Sequence, residues 1–248
     1  MLATRIIPSL LCRGRELVKG RQFNSWRSVG IAAQAVRIHQ ARGVDELLLL
    51  DIGATPEQRG PDLELIKDLS EVCFMPLSVG GGIQDIQQVH ELMCAGADKV
   101  VIGSALYVDP YLGVKISEAY GSQVLVASID IRDGWVWTHC GTEKRKVRPE
   151  SYAATLESVG VGEILLTSID REGMMEGYDL ELIEKVANKA NVPVIAHGGC
   201  GTYEHMLEAI KAGAHAVSAG SLFQFTDATP QGAAEYLSRS GIEVRCKG

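Results

Sequence analysis

The chain has 248 residues, is 46% hydrophobic and 22% charged, and carries a formal net charge of -7. That length suits one α/β barrel domain spanning 1–248, and the composition is ordinary for a globular protein. The acidic balance argues against non-specific nucleic-acid binding, which needs basic patches to displace counterions. No apolar run approaches the roughly 18 residues of a membrane span, and the opening MLATRIIPSLL is too short for a secretory leader. The expectation is a cytoplasmic protein with neither a membrane nor a nucleic-acid partner.

Short β-branched runs alternate with amphipathic stretches along the whole chain. In chain order the candidate strands are Arg5–Leu11, Glu46–Ile52, Met75–Val79, Lys99–Gly103, Val124–Asp130, Glu163–Ser168, Pro193–His197 and His215–Ala219. Candidate helices fall between and after them, at about 31–42, 61–72, 84–95, 109–119, 149–159, 178–190, 203–212 and 230–239. Asp109-Pro110 and Thr202 ahead of Glu204 mark helix entries. The strands are apolar almost throughout, as expected when both sheet faces are covered. Eight such βα units predict either a closed (β/α)8 barrel or a doubly wound open sheet.

An internal repeat separates the two. DELLLLDI begins at Asp45 and GEILLTSI at Gly162; VGGGI begins at Val79 and AHGGC at Ala196; AGADKVVIGSAL begins at Ala95 and AGAHAVSAGSLF at Ala212, so each pair is offset by 117. A constant offset through three strand regions means two homologous halves of four βα units each, which a closed ring accommodates naturally. The predicted fold class is therefore a (β/α)8 TIM barrel built from two half-barrels.

Glycine clusters follow four strands: Gly80, Gly81 and Gly82; Gly103 and Ser104; Gly198 and Gly199; Gly220 and Ser221. Such glycines let backbone approach a ligand closely, and the helix starts that follow aim N–H groups at an anion. Barrel phosphate sites sit after strands seven and eight. The repeat then puts a second one across the mouth, which suits a substrate with a phosphate at each end. Tight βα turns alone would also use these glycines.

Asp51 and Asp130 end the second and fifth candidate strands, at the reaction face, where a carboxylate can do acid–base work. Capping a loop or pairing with a cation is the alternative for either. Arg5, Glu46, Lys99 and Glu163 start strands one, two, four and six and form the floor of the barrel. Four charges there should pair mutually, since unpaired ions would be costly. Lys19 lies in a long first loop, Cys12–Gly30, with Arg13, Arg15, Arg21 and Arg27. That loop could close on an anionic substrate or be a solvated charge run. Six cysteines (Cys12, Cys73, Cys94, Cys140, Cys200 and Cys246) form no C-x-x-C pair and read as reduced thiols. His197 and Cys200 alone do not make a metal site, so no metal is expected.

RIIPSLL, VDELLLLDI, VGGGI, GADKVVIGSA, YGSQ, GEILLTSIDREG, GYDLELI and the paired GG and AGS-x-F segments occur in the order found in one family. From end to end the chain resembles the cyclase subunit of imidazole glycerol phosphate synthase. The resemblance implies a glutaminase partner docked at the N-terminal face of the barrel. Ammonia would pass through a gate of Arg5, Glu46, Lys99 and Glu163 to a bis-phosphorylated ribonucleotide-type substrate at the mouth. The implied products are imidazole glycerol phosphate and an aminoimidazole carboxamide ribotide, made without a cofactor. Asp130 matches one of the family's two catalytic aspartates. The other position holds Leu11, which cannot exchange a proton. Gly103 replaces the family's usual Asn, His197 its Ser, Glu172 an Asp and Met174 a Thr. Leu11 and Gly103 together are similar to a paralogue group associated with amidation of surface sugars, where the barrel would conduct ammonia to a separate synthetase. An unrelated phosphosugar isomerase on the same half-barrel scaffold is a third reading.

Overall fold

Eight parallel strands close on themselves in the computed structural model, which describes residues 3–245. They are β1 (Arg5–Arg13), β2 (Leu47–Asp51), β3 (Leu77–Gly80), β4 (Lys99–Ile102), β5 (Leu125–Arg132), β6 (Glu163–Ser168), β7 (Val194–His197) and β8 (Ala216–Ala219). Each pairs with its chain neighbour, and β8 returns to β1 with Ile6 opposite Val217. No edge is left, so the open-sheet alternative is excluded and the barrel expectation holds.

Alternation along the strands explains why they read as apolar throughout. Ile7, Leu48, Val101, Val126, Leu165, Ile195 and Ala216 form one buried cluster inside the barrel, with Leu50 packed against it. Their neighbours Ile6, Leu47, Leu49, Val79, Val100, Ile102, Leu125 and Ile164 belong to a second cluster between strands and helices. A strand buried on both faces has no polar phase to display.

The duplication is visible atom by atom. Helix Leu63–Ser70 is capped by Asp62, which accepts from Leu65 N–H, and buries Leu65, Ile66 and Leu69. Its mate, Leu180–Ala187, is capped by Asp179, which accepts from Leu182 N–H, and buries Leu182, Ile183 and Val186. A side-chain oxygen at the N-cap satisfies an otherwise orphaned amide, which makes these starts sharp. Thr202 caps helix Tyr203–Lys211 in the same way, as its place ahead of Glu204 predicts. All eight predicted helices are present, and two five-residue helices, Ser104–Val108 and Ser221–Phe225, were not foreseen. These are too short to carry a periodic signal.

Two corrections concern the mouth. The predicted first loop is an antiparallel hairpin, Glu16–Arg21 with Asn24–Ile31, continuing from β1. Leu17 and Val18 anchor it in the core at 3% and 4% exposure, and the surrounding charges hid that short apolar pair. Its turn takes Gln22 and Phe23 into the left-handed region (φ 52° and 61°). That turn is docked: Gln22 N–H donates to Glu172 O at 2.9 Å, and Arg132 Nη2 to Gln22 O at 3.1 Å. Second, β5 does not stop at Asp130. It runs to Arg132 and folds back through Trp135–Thr138, with Asp130 opposite Trp137. The helix and strand edges otherwise lie within three residues of those expected.

The five described cysteines, Cys12, Cys73, Cys94, Cys140 and Cys200, are free thiols, and Cys246 lies outside the described residues. No described helix is long and apolar enough to cross a membrane.

Candidate functional site

At the floor the four charges meet. Arg5 reaches Glu46 at 2.6 Å and Glu163 at 2.9 Å, while Lys99 reaches Glu46 at 3.1 Å and Glu163 at 3.0 Å. Ser78, which the sequence reading did not single out, donates to Glu46 at 2.7 Å. Burial alone would raise the Glu46 pKa. Lys99, Arg5 and the Ser78 hydroxyl outweigh it and hold the carboxyl below its ordinary value. The result is a charge-balanced ring of two cations and two anions.

Above the ring lies the apolar layer of Ile7, Leu48, Val101, Val126, Leu165 and Ile195. The inward positions above that turn polar: Ser9, Ser128, Thr167 and His197. Each lies two residues beyond an apolar inward position on its strand, a period-two signal that the sequence reading left unused. His197, on β7, is buried with Nδ1 3.1 Å from Thr167 Oγ1 and Nε2 3.2 Å from Ser9 Oγ. Burial, with the nearby Lys19 charge, pulls its pKa down to about 3. The imidazole is therefore a neutral hydrogen-bonding strut.

This has a measurable consequence. Unfolded, His197 takes a proton below about pH 6.5; folded, it does not until about 3. The native state thus binds fewer protons, and stability is expected to fall as pH drops from 6.5 toward 3. NMR titration of the His197 ring between pH 8 and 5 should show no protonation. A midpoint near 6.5 would contradict the geometry.

Asp130 stands at the mouth, accepting from Ser128 Oγ at 3.2 Å. Burial raises its pKa to about 6 against the opposing hydrogen bonds of Ser128 and Thr167. A carboxyl so tuned can both give and take a proton near neutrality. Asp130 and Leu11 line one cavity of about 340 Å³, together with Asp51, Gly81, Gly82, Gly103, Ser104, Trp137 and His197. Asp51 lines that cavity with its carboxylate already partnered. Arg59, a residue missed in the sequence, grips its two oxygens at 2.7 and 3.0 Å, and the Gly53 N–H donates to it at 3.0 Å.

The two glycine cradles are alike in backbone and unlike in contents. Gly81 and Gly198 have φ of 117° and 89°, and Gly82 and Gly199 have 71° and 104°, a region that disfavours side chains. Beside the first cradle, a cavity of about 580 Å³ is lined by Gly82, Ser104 and Ala105, and His139 N–H donates to Ser104 Oγ at 2.8 Å. The second cradle, with Gly198, Gly199, Gly220 and Ser221, leaves about 20 Å³. Lys19 accounts for the difference. Its side chain is brought in by the hairpin, buried to 3% exposure, and packed over Gly220. Burial lowers the Lys19 pKa to about 8, and Glu172 partly offsets this. Glu172 is also buried, and its own pKa is raised by burial against the pull of Lys19 and the Phe23 N–H. Lys19 is thus an anchored cation inside an anion-type cradle, the opposite of a solvated loop charge. No group of three metal-ligating side chains occurs among the described residues.

The class of protein that this fold and site define is a duplicated (β/α)8 barrel with paired glycine cradles at one end and a charge ring at the other. The family model for histidine biosynthesis proteins matches residues 5–229. The subunit HisF of imidazole glycerol phosphate synthase from Caulobacter vibrioides is 43% identical over 252 residues, covering 99% of this chain and 97% of that protein. The subunits of the same name from Dictyoglomus thermophilum and Pelodictyon phaeoclathratiforme are 42% and 41% identical, each over 99% of this chain and 99% and 100% of their own lengths. The chain belongs to the histidine biosynthesis protein family, among relatives of the HisF type.

Proposed function

We propose that this chain is the ammonia-using barrel subunit of an imidazole glycerol phosphate synthase-type assembly. A glutaminase docks on its N-terminal face, and ammonia enters through Arg5, Glu46, Lys99 and Glu163. The single observation that carries this reading is alignment along one axis. The charge ring, the apolar layer and the carboxyl of Asp130 are stacked through the inward positions of the same strands. Ammonia is small and neutral, so an apolar passage with a polar gate admits it while resisting ions.

At the mouth the substrate is a bis-phosphorylated ribonucleotide-type molecule. Gly81, Gly82, Gly103 and Ser104 would take one phosphate. Gly198, Gly199, Gly220 and Ser221 would take the other, with Lys19 as its counter-charge. Asp130 serves as the general acid and base. The products would be imidazole glycerol phosphate and the carboxamide ribotide.

A second reading draws on a specific observation. Leu11, 3% exposed, stands in the Asp130 cavity where the family pattern has a second aspartate. In this reading the chain conducts ammonia to another enzyme that amidates a surface sugar. One assay separates the two: purified chain, the bis-phosphate and an ammonium salt, followed by product formation. Turnover like that of an ordinary cyclase supports ring closure. Its absence, with glutamine-dependent ammonia release still coupled to the glutaminase, supports the conduit.

A further inference from the structure

Phe74 is 81% exposed, the highest value among the exposed large hydrophobic side chains described. It lies three residues before β3, at the end of the barrel where Arg5, Glu46, Lys99 and Glu163 meet, and Pro76, two residues further on, is exposed as well. A single exposed apolar residue is ordinary on a protein surface. The duplicated half supplies a control that makes this one informative.

Moving 117 residues along the chain takes Gln40 to Glu157, Phe74 to Asn191 and Asp98 to His215. The backbone is held in the same way in both halves. Phe74 N–H donates to Gln40 Oε1 at 2.8 Å, and Asn191 N–H to Glu157 Oε2 at 3.2 Å. Leu77 N–H donates to Asp98 at 2.8 Å, and Val194 N–H to His215 at 3.3 Å. The two turns differ in what the side chain does. Asn191 turns its amide back to Glu157 at 2.8 Å, whereas the Phe74 ring stands in solvent. The turn therefore folds with a polar residue at this position, and the exposed ring is not a requirement of the fold.

We infer that Phe74 is the apolar anchor by which the glutaminase seats on the floor, off-centre toward the first half-barrel. This rests on the glutaminase reading proposed above. The floor ring is charge-balanced and internally paired, so it offers little net ionic attraction to a partner. Affinity must come from buried apolar area, and aromatic anchors held on rigid backbone dominate such interfaces. Hydrogen bonding by Gln40 fixes the Phe74 backbone before the partner arrives, which lowers the ordering cost of docking. Among the other exposed apolar side chains, Ile31 and Ile38 line a cavity beside Gly30 and Phe223, at the mouth side of the first helix. Tyr111 lies under Lys115, Phe225 under Arg27, and Val108 faces the cavity beside the first cradle.

The test is titration calorimetry of the full chain with the imidazole glycerol phosphate synthase-type glutaminase of the same organism. Phe74→Asn, which installs the residue of the other half, is expected to bind at least about tenfold more weakly with an unchanged melting temperature. Phe74→Leu, which keeps apolar bulk, should bind within about threefold of wild type, and the mirror change Asn191→Phe should leave affinity unaltered. Wild-type affinity in Phe74→Asn would overturn the anchor and leave the glutaminase reading standing. Failure of the wild-type chain to bind would overturn both.

Discussion

Leu11→Asp is expected to raise ammonium-dependent turnover of the bis-phosphate by at least about a hundredfold, the lower end of what one positioned acid–base group contributes. Leu11 and Asp130 line the same cavity, so an aspartate at 11 would face Asp130 across the space where substrate would sit. Asp130 alone, raised to about 6, can shuttle one proton near neutrality. A ring closure that needs protons added and removed at two positions lacks its second group. The change has a price in stability, roughly 3 kcal/mol, because a carboxyl replaces a leucine that is 3% exposed. A folded Leu11→Asp protein with no gain in turnover would move the cause of any lost activity away from this position. In a revived variant, turnover that depends on Asp130 as base should rise with pH, and the second carboxylate across the cavity should move that rise upward from the wild-type Asp130 value of about 6.

Glu46→Ala should be among the most destabilising single changes at the floor, at about 3 kcal/mol, or a melting temperature lower by roughly 10 °C. It removes the 2.6 Å partner of Arg5, the 3.1 Å partner of Lys99 and the acceptor for Ser78. Two cations then share Glu163. The figure is set at the low end for a broken buried pair because the Arg5 and Lys99 side chains keep 22% and 16% of their exposure.

The pH dependence follows from the depressed Glu46 pKa. The folded carboxyl binds its proton more weakly than the unfolded one, so this stabilisation is present above the ordinary value of 4.5. It is lost as pH falls through the lowered folded value. Wild type and Glu46→Ala should therefore converge in acid when urea midpoints are compared at pH 7 and below pH 4. A gap that persists in acid would mean that packing, rather than charge, is what the substitution removes. If the ring also gates ammonia, Glu46→Ala should change glutamine-dependent output while leaving output from added ammonium salt closer to wild type.

Much of the fold was legible in the sequence because its signals are local or repetitive. Doubly buried strands read as unbroken apolar runs. Helix starts carried capping residues such as Thr202, and an offset of 117 between matching segments forced a two-halved ring. Strand order then fixed which residues begin a strand and which end one, and so sorted Arg5, Glu46, Lys99 and Glu163 to the floor and Asp130 and the glycines to the mouth. Tertiary structure alone decided how those groups spend their charge. Asp51 is gripped by Arg59 eight residues away, His197 is made neutral by burial between Thr167 and Ser9, and Lys19 is carried by a hairpin into the cradle of Gly198 and Gly220. These outcomes depend on desolvation and on partners brought together across the closed barrel. A periodic pattern encodes which face a residue takes, but not which ion it will meet there.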